Sequence, residues 1–337
     1  MTTHYAASNR ARLRELNFGF DTVLCEEAGQ VTELELLVAL SAQHRGGRLE
    51  RLVLLGDLGQ LPPLASHPFV RDTSGFTLPL MARLLRLGHH SIRLTELPLP
   101  LYRPSILNLW AWRYPTLDIS SACASTGGTD GAVAGMRHSH QLVHVGDLQA
   151  QGQTSPHAHA YENLAEAEYV VSTFQYLRLL GHPTESIALV AAYGAQRSLI
   201  ERLASERCAH APQVFGKPFV TTIDAFASGT VDIVLLSLVR TDAPGFLADP
   251  RRLTAAFSRA RRGLYVFARR SMLEKCHAFH TGFSALVEVE PSTQLQLVVG
   301  EGHPTSRMCA TGGNGLNIFA AADVVSMGAV VQQMQGL

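Results

Sequence analysis

Short apolar runs alternate with helical patterns along most of this sequence. The runs TVLC and LVLL, at residues 22–25 and 52–55, flank a helical pattern at residues 31–42. Five later runs are typical of buried strands, at residues 142–145, 187–190, 219–222, 233–238 and 264–267. Several of these runs are separated by helical patterns, at residues 164–180, 195–204 and 251–261. Because such alternation favours parallel pairing, the sequence predicts an α/β fold with mostly parallel sheets.

The length and the charge balance limit the classes of function. A chain of 337 residues is long enough for two domains of ordinary size. A content of 46% hydrophobic and 17% charged residues is typical of a globular protein rather than a disordered one. The formal net charge is zero, so the chain as a whole does not attract nucleic acid or membranes. A phosphate-binding surface would therefore have to be local.

The five cysteines are odd in number, widely spaced and never arranged as CxxC. This pattern argues against a disulfide scaffold or a structural zinc site, and it is typical of a reducing compartment. The first residues lack the apolar core of a signal peptide, and no stretch of about twenty uncharged apolar residues occurs. The sequence predicts a soluble, intracellular protein.

The segment CEEAGQ, residues 25–30, directly follows the first predicted strand. Open α/β sheets bind ligands at the carboxyl ends of their strands. One carboxylate of the pair Glu26 and Glu27 could hold Mg²⁺ through water while the other orients an attacking water. The two glutamates could equally be favourable charges in the first turn of a helix. These residues alone leave both interpretations open.

The segment GDLGQLPPL, residues 56–64, follows the second predicted strand. If the two strands are neighbours, Asp57 and Gln60 lie beside Glu26 and Glu27. A glycine turn closed by two prolines explains the backbone of this segment, but it does not explain the aspartate and the glutamine. These two side chains therefore favour a ligand-binding role at the same edge of the sheet.

The segment GFLADPRRLTAAFSRARRGLYVFARR, residues 245–270, predicts a helix, a turn and a strand. Asp249 and Pro250 have the residue types of an N-cap and a first helical residue, and Gly263 is predicted to close the turn. Five arginines lie between residues 251 and 262. Guanidinium groups suit bidentate contact with phosphate oxygens, whereas an arginine run without context is more often a solvated face.

Together these segments resemble superfamily 1 helicases, in the branch that includes the nonsense-mediated-decay helicases. The resemblance implies two RecA-like P-loop NTPase domains, with ATP between them and nucleic acid lying across both. It identifies Glu26 and Glu27 with the Walker B pair and residues 56–63 with the third motif. By this resemblance Glu26 holds Mg²⁺ through water, Glu27 positions the attacking water, and Gln60 senses the γ-phosphate. Asp57 is a further nucleotide-binding residue.

The second half of the chain resembles the later helicase motifs. Residues 221–226 (TTIDAF) and 232–241 (DIVLLSLVRT) resemble the fifth motif, which makes Asp224 a nucleotide-binding residue. The fourth motif is degraded in LPLPLYRPSI. Arg103 fits the place of its phosphate-binding arginine, but ungapped matching places Leu101 there.

The arginine-rich segment resembles the sixth motif. RRLTAAFSRARRGLYVF, residues 251–267, contains the residues that carry this resemblance. It implies that Arg259 is the arginine finger, which stabilises the transferring phosphoryl group. Arg261 and Arg262 are then nucleotide-binding residues beside it.

The resemblance narrows to the Aquarius family of intron-binding, spliceosomal RNA helicases. It is carried by EEAGQ and, in order, by NLWAWRYP, NLAEAEYVV, LLGHP, AAYGAQRSLI and LLSLVRTDAPGFLADPRRL. It covers roughly residues 2–285. The resemblance implies the end of a first RecA-like domain at residues 1–95, a second at 96–285 with a Gly-rich loop near 117–140, and a C-terminal tail at 286–337.

Two departures from the family pattern concern catalysis. No GxxxxGK(S/T) occurs in the sequence, so the loop and the lysine that hold the phosphates in the family are missing from it. In the family this Walker A loop lies upstream of the segment that matches residue 1, so we expect the chain to begin partway through the first RecA-like domain. The fifth motif also loses its usual polar residues, since it continues as Ala227, Ser228, Gly229, Thr230 and Val231.

Two functions follow from the resemblance. The first is the helicase core of an ATP-dependent RNA helicase of pre-mRNA splicing, nuclear, using ATP and Mg²⁺ and contacting RNA and spliceosomal proteins. The second is a non-catalytic RNA-binding or spliceosome-interaction module that has lost ATP turnover. In either case the 337-residue chain is expected to be inactive as an ATPase by itself.

Overall fold

The computed structural model describes residues 3–42, 49–64, 75–97, 102–119, 133–226, 228–299 and 317–336. The chain divides into two compact units, Met1–Arg93 and Leu94–Leu337. Each unit has its own sheet and its own apolar core. Leu101, Ala227, most of the Gly-rich loop near residues 117–140 and the glycines near residue 312 lie outside the described residues.

The first unit contains a strand, helix, strand arrangement. In chain order its elements are α1 (Thr3–Ser8), α2 (Arg10–Glu15), β1 (Thr22–Cys25), α3 (Glu33–Leu40), β2 (Arg51–Leu54) and α4 (Leu80–Arg86). Strands β1 and β2 pair in parallel, with Leu24 opposite Val53. The predicted strands and helix are confirmed, each within two residues of its predicted limits.

Helix α3 begins at a complete capping box. The Thr32 hydroxyl accepts a hydrogen bond from the Glu35 backbone N–H (3.2 Å), and the Glu35 carboxylate accepts one from the Thr32 backbone N–H (2.8 Å). These bonds satisfy two backbone donors that a helix start otherwise leaves without partners. The helix therefore begins two residues later than its apolar periodicity predicts.

The core of the first unit is small. One cluster of its buried residues consists of Cys25, Ala28, Leu36 and Leu80. On the two strands, Leu24 is 68% exposed and its partner Val53 is 39% exposed. The described part of this sheet therefore buries only one of its two faces well.

The second unit is built on five parallel strands. Its elements are α5 (Pro104–Leu107), β3 (His140–His144), β4 (Gln153–His157), β5 (Ala160–Asn163), α6 (Leu164–Leu179), β6 (Ile187–Ala191), α7 (Gly194–Cys208), α8 (Pro212–Phe215), β7 (Phe219–Thr222), β8 (Val231–Ser237), α9 (Pro250–Phe257), β9 (Ala260–Ala268), α10 (Arg270–Glu274), α11 (His280–Glu288), β10 (Leu295–Val299), β11 (Asn317–Ala321) and α12 (Val324–Gln335). The strand order is β3, β9, β8, β6, β7, and every neighbouring pair is parallel. The predicted parallel α/β fold is confirmed.

Helices cover this sheet so completely that its central strands have almost no exposed residue. Every residue of β6 is buried, as are the last five residues of β8. Twelve of the sixteen residues of α6 are also buried, so this helix is enclosed on nearly all sides. Such double-sided burial explains why β6 and β8 are continuous apolar runs without alternation.

Two sequence predictions about the arginine-rich segment need correction. Helix α9 ends at Phe257, and β9 already begins at Ala260. Gly263 therefore lies inside a strand and does not close a turn. A Cβ at this position would lie 2.6 Å from Val133 Cγ2, so the absence of a side chain is needed for packing rather than for a turn.

The segment after residue 285 also differs from its prediction. The sequence predicts only a C-terminal tail at residues 286–337, whereas the structure forms β10, β11 and α12 there. Strand β11 pairs with β10 in an antiparallel hairpin, and its Ala321 carbonyl accepts a hydrogen bond from the buried Tyr169 hydroxyl (2.7 Å). Met327 and Val331 of α12 lie in the main core. The C-terminal segment is thus part of the second unit.

One further antiparallel feature, the pairing of β4 with β5, was not predicted from the sequence. Strands β4 and β5 form a short hairpin in which the exposed His157 ends β4 and the exposed His159 lies in the turn. The residues of β4 are mostly exposed and polar, so they lack the apolar signal of a strand. None of the helices in the described ranges is long and apolar enough to cross a membrane.

Candidate functional site

Two exposed carboxylates follow β1 in the first unit. Glu26 and Glu27 both face solvent. Glu27 has a positive φ of 51°, which is uncommon for a residue other than glycine. Its carboxylate accepts a hydrogen bond from Gln30 Nε2 (2.8 Å). Glu27 therefore lies in a tight turn after the strand and not in the first turn of a helix. Glu26 and Glu27 are thus not explained as favourable charges at a helix start.

The corresponding loop after β2 carries Asp57 and Gln60. Asp57 Oδ1 accepts a hydrogen bond from the Gly59 backbone N–H (2.7 Å), and Asp57 Oδ2 accepts one from Gln60 Nε2 (3.0 Å). Both side chains are half-buried. Asp57 thus shapes its own loop and orients the Gln60 amide.

The loops after β1 and β2 approach each other so closely that both need glycine. A Cβ on Gly56 would lie 2.8 Å from the Gly29 backbone nitrogen, and a Cβ on Gly29 would lie 2.9 Å from the Asp57 carbonyl oxygen. The Ala28 backbone N–H also donates to the Leu55 carbonyl (2.8 Å). The structure therefore brings the two predicted polar segments together at the carboxyl ends of neighbouring strands.

The chemistry of this edge fits a hydrated magnesium ion. Mg²⁺ usually keeps several waters and binds through one or two carboxylates and substrate phosphates. Exposed glutamates meet that requirement, and Glu26 has the carboxylate that would hold the ion through water. No group of three or more His, Cys, Asp or Glu side chains in the described ranges could hold a metal by itself. An ion here would depend on water and phosphate oxygens.

In the second unit the predicted arginine finger is buried. The Arg259 side chain donates from Nε to the Ala255 carbonyl (3.0 Å), from Nη1 to the Gly229 carbonyl (3.1 Å) and from Nη2 to Ser258 Oγ (3.0 Å). Arg259 is only 7% exposed. In this conformation its guanidinium ties the end of α9 to the loop before β8.

The other predicted arginines lie around the start of β9. The Arg103 backbone N–H donates to the Arg261 carbonyl (2.9 Å), and Arg103 itself is buried. Arg261 forms an ion pair with Asp232 (2.9 Å), whereas Arg262 is exposed. The structure therefore brings Arg103 and Arg261 together from segments far apart in sequence.

Tyr102 lies beside these arginines. Its buried hydroxyl donates to the Ser258 carbonyl (3.1 Å). Burial raises the pKa of Tyr102, and the positive charges of Arg259 and Arg261 oppose that rise.

Asp224 pairs with a different arginine. It follows β7 and forms an ion pair with Arg252 of α9. The Arg252 guanidinium also lies 4.5 Å from the centre of the Phe246 ring, a favourable cation–π distance. Asp224 thus connects the segment that resembles the fifth motif to the helix that resembles the sixth.

A buried polar network in the second unit was missed by sequence reasoning. Its members are Asn163, Glu166, Gln196, Ser237 and Val239. Asn163 is the N-cap of α6 and accepts from the Glu166 backbone N–H (3.2 Å). The spacing of asparagine and glutamate three residues apart signals a helix start. Nothing in that signal shows that the Glu166 side chain turns into the core.

Two family profiles match the chain. A profile described as an AAA domain matches residues 1–66, and a second one with the same description matches residues 124–271. The first includes Glu26, Glu27 and Asp57, and the second includes Asp224 and Arg259. Each profile thus matches a segment of a different compact unit.

Curated relatives extend over most of the chain. RNA helicase aquarius of Mus musculus is 38% identical over 310 residues, which are 91% of this chain and 21% of the relative. Pre-mRNA-splicing factor cwf11 of Schizosaccharomyces pombe is 28% identical over 96% of this chain and 24% of the relative. The helicase required for RNAi-mediated heterochromatin assembly 1, from the same yeast, is 32% identical over 72% of this chain and 23% of the relative. The chain thus spans about a fifth to a quarter of each of these relatives.

Proposed function

We propose that this chain, which belongs to the Aquarius family of superfamily 1 helicases, is the helicase-core portion of an ATP-dependent RNA helicase of pre-mRNA splicing. It would act in the nucleus with RNA and spliceosomal proteins. The proposed domains are the end of a first RecA-like domain at residues 1–95, a second at 96–285 and a C-terminal segment at 286–337.

One observation supports the proposal most directly. The loops after β1 and β2 are pinned together through Gly29 and Gly56, and this places the Walker B-like and third-motif-like segments at the same sheet edge. An α/β sheet binds its ligand at the carboxyl ends of its strands. This position of the carboxylates and the Gln60 amide supports the roles proposed for them in phosphoryl transfer.

Each residue of this edge has a proposed task. Magnesium-bound ATP, when present, supplies the phosphoryl group and the cation that neutralises its charge. Glu26 would hold the ion through water, and Glu27, exposed and in a tight turn, would accept a proton from the attacking water. Gln60 would donate its amide to the γ-phosphate, because Asp57 already holds that amide in place.

The arginine finger is proposed on resemblance rather than on its present contacts. Arg259 now donates to two backbone carbonyls and one hydroxyl, so a contact with phosphate would require these bonds to be exchanged. Arginine fingers contribute about a thousandfold or more to the rate. The exchange would have a cost of its own, because hydrogen bonds from a charged group contribute about 1.5–3 kcal/mol each.

These same contacts favour the second candidate function. A buried Arg259 that stabilises the fold, together with the altered fifth motif, is what a non-catalytic RNA-binding or spliceosome-interaction module would contain. The two candidates differ in ATP turnover. An ATPase assay on a complete phosphate site therefore separates them.

The experiment uses a chimera in which this chain replaces the matched 310 residues of the mouse relative. Helicase activity predicts RNA-stimulated ATP hydrolysis, and Glu27→Gln is expected to lower it at least about a hundredfold. Glu15→Gln, an exposed glutamate in the same unit, is the control and should leave turnover unchanged. A folded chimera that binds RNA without any turnover would favour the non-catalytic module.

The 337-residue chain by itself provides a second check. It should bind single-stranded RNA, while RNA-stimulated ATP hydrolysis should stay at background because no GxxxxGK(S/T) segment occurs in the sequence. Fluorescence anisotropy with a labelled oligoribonucleotide measures the binding. Absence of RNA binding would contradict the helicase function and the RNA-binding form of the module, and it would favour the spliceosome-interaction module.

A further inference from the structure

The loop after the central strand β8 begins with a strained turn. Val239 has a positive φ of 73°, and the Arg240 backbone N–H donates to the Leu238 carbonyl (2.8 Å). A hydrogen bond across three residues with positive φ at the middle one defines a γ-turn of the rare, strained kind. A β-branched residue such as valine is an outlier in this conformation, so surrounding contacts must hold it.

The first turn of α6 provides these contacts. The Val239 backbone N–H donates to Glu166 Oε2 (2.7 Å), and the Val239 carbonyl accepts from Asn163 Nδ2 (3.4 Å). The same Glu166 oxygen accepts from Ser237 Oγ (2.6 Å). Both backbone polar groups of the strained residue are therefore bonded to side chains of one helix start.

Gln196 of α7 extends the network to a third element. Its Nε2 donates to the Asn163 carbonyl (3.0 Å) and to Ser237 Oγ (3.0 Å), while its Oε1 accepts from the Asn163 backbone N–H (2.7 Å). All of these side chains are buried. Because a buried carboxylate without its donors is costly, the network resists any movement of the turn away from Glu166.

The turn determines where the next residues lie. The Arg240 Nε and the Thr241 backbone N–H both donate to Gln153 Oε1 (3.0 Å each). The Arg240 guanidinium carbon lies 4.0 Å from the centre of the Tyr161 ring, and its Nη1 lies 3.5 Å from the Tyr193 hydroxyl. Arg240 is thereby held at the carboxyl-end edge of the sheet, half-exposed.

We propose that Glu166 is a positioning residue, which through Ser237 and Val239 holds the loop between β8 and α9 and fixes Arg240 at the sheet edge. This loop joins the segments that resemble the fifth and sixth helicase motifs. Glu166 is completely buried, so it acts through the loop and not by touching a ligand. An effect of Glu166 on RNA binding rests on the proposed function. The positioning of the loop by Glu166 is independent of that function.

Hydrogen exchange on the 337-residue chain tests the hold directly. At pH 8, above the raised pKa of Glu166 of about 7, amides of residues 238–245 should exchange at least about tenfold faster in Glu166→Gln, because the turn loses its charged acceptor. Amides of β6, in the same sheet, should be unchanged. Glu168→Gln is the matched control, since Glu168 lies in the same helix and pairs with Arg207 of α7 (2.7 Å).

Two outcomes would overturn the proposal. Unchanged exchange in the loop would show that Glu166 does not hold it. An increase that is uniform over the second unit would show a general loss of stability rather than positioning. If Glu166→Gln does not fold, Ser237→Ala replaces it, because that variant removes one of the two donors to Glu166 Oε2 and leaves the carboxylate in place.

RNA affinity then separates the inference from the proposed function. If the wild-type chain binds a single-stranded oligoribonucleotide, Glu166→Gln and Arg240→Gln should each weaken binding several-fold, and the double variant should be no weaker than either. Equal binding by Glu166→Gln with a loosened loop would show that the loop does not serve RNA contact. If the wild-type chain binds no RNA, the proposed function fails, and the exchange result alone decides whether Glu166 positions the loop.

Discussion

The two units hold their glutamates in opposite surroundings. Glu27 of the first unit is exposed and bonded to a neighbour three residues away, whereas Glu166 of the second is buried and bonded to Ser237 and Val239, more than 70 positions along the chain. The sheets differ in the same way, since Leu24 of β1 faces solvent while Leu235 of β8 is completely buried. In the first unit the positions of polar groups depend on close backbone approach between loops. In the second they depend on packing around a doubly covered sheet.

The largest expected effect is a truncation in the covered sheet. Leu235→Ala should lower the free energy of unfolding of the second unit by about 2–5 kcal/mol, because it leaves a cavity in a close-packed core. Leu24→Ala in the first unit should change stability by less than about 0.5 kcal/mol. Tryptophan fluorescence during urea unfolding measures the effect of Leu235→Ala, because both tryptophans lie in the second unit, and hydrogen exchange in β1 measures the effect of Leu24→Ala in the first. Similar losses in both variants would break the comparison.

The next effect concerns the glycine contact of the first unit. In Gly56→Ala the new Cβ would meet two backbone nitrogens within 3 Å, and separating the two loops should cost about 1–3 kcal/mol. Hydrogen exchange in residues 22–30 measures the local loss. Gly19→Ala is the control, because the nearest atom to its Cβ would lie 4.0 Å away. Equal exchange in the two variants would show that the loops do not need their close approach.

The buried carboxylate should give the second unit a dependence of stability on pH. Burial raises the pKa of Glu166 from 4.5 to about 7, and its hydrogen bonds to Ser237 and Val239 only partly oppose this. Because the folded pKa lies above the unfolded one, this contribution is fully present below pH 4.5 and is lost as pH rises through 7. The total change is on the order of 1–3 kcal/mol.

Glu166→Gln isolates that contribution. Burial lowers the pKa of His140 to about 4, and this histidine stabilises the fold above pH 6.5 and loses that contribution as pH falls, which is the opposite slope. The positive charge of Arg269 lowers the pKa of Glu166 and so partly opposes the effect of burial. Urea midpoints from pH 4.5 to 8 should therefore fall more steeply with rising pH in wild type than in Glu166→Gln. Parallel curves would show that Glu166 does not titrate in this range.

The smallest expected effect is at the N-cap of α3 in the first unit. Thr32→Ala removes the hydroxyl that accepts from the Glu35 backbone N–H and should cost about 1 kcal/mol. Thr32→Ser keeps the hydroxyl and should cost only a few tenths of that. Hydrogen exchange in α3 measures both. A larger loss than in Gly56→Ala would mean that capping, not loop approach, holds the first unit together.

Sequence reasoning succeeded where one residue type and its spacing carry the information. Apolar runs predicted the strands of both units, and the polar segments after β1 and β2 were expected to meet because parallel neighbours share their carboxyl ends. It failed for Gly263, since a glycine between arginines looks like a turn, whereas a neighbouring side chain requires it inside β9. It also missed β4, because an exposed polar strand has no apolar pattern.

By itself the sequence determined the family, the parallel α/β fold and the candidate residues Glu26, Glu27, Gln60 and Arg259, since these follow from local order and residue type. Only the tertiary structure decided that Arg259 points into the protein, that Gly29 and Gly56 pin two loops together, and that Glu166 holds the turn at Val239. Burial and hydrogen-bond partners depend on segments distant in sequence. A linear pattern shows which residues exist, but the packed sheet decides which of them meet.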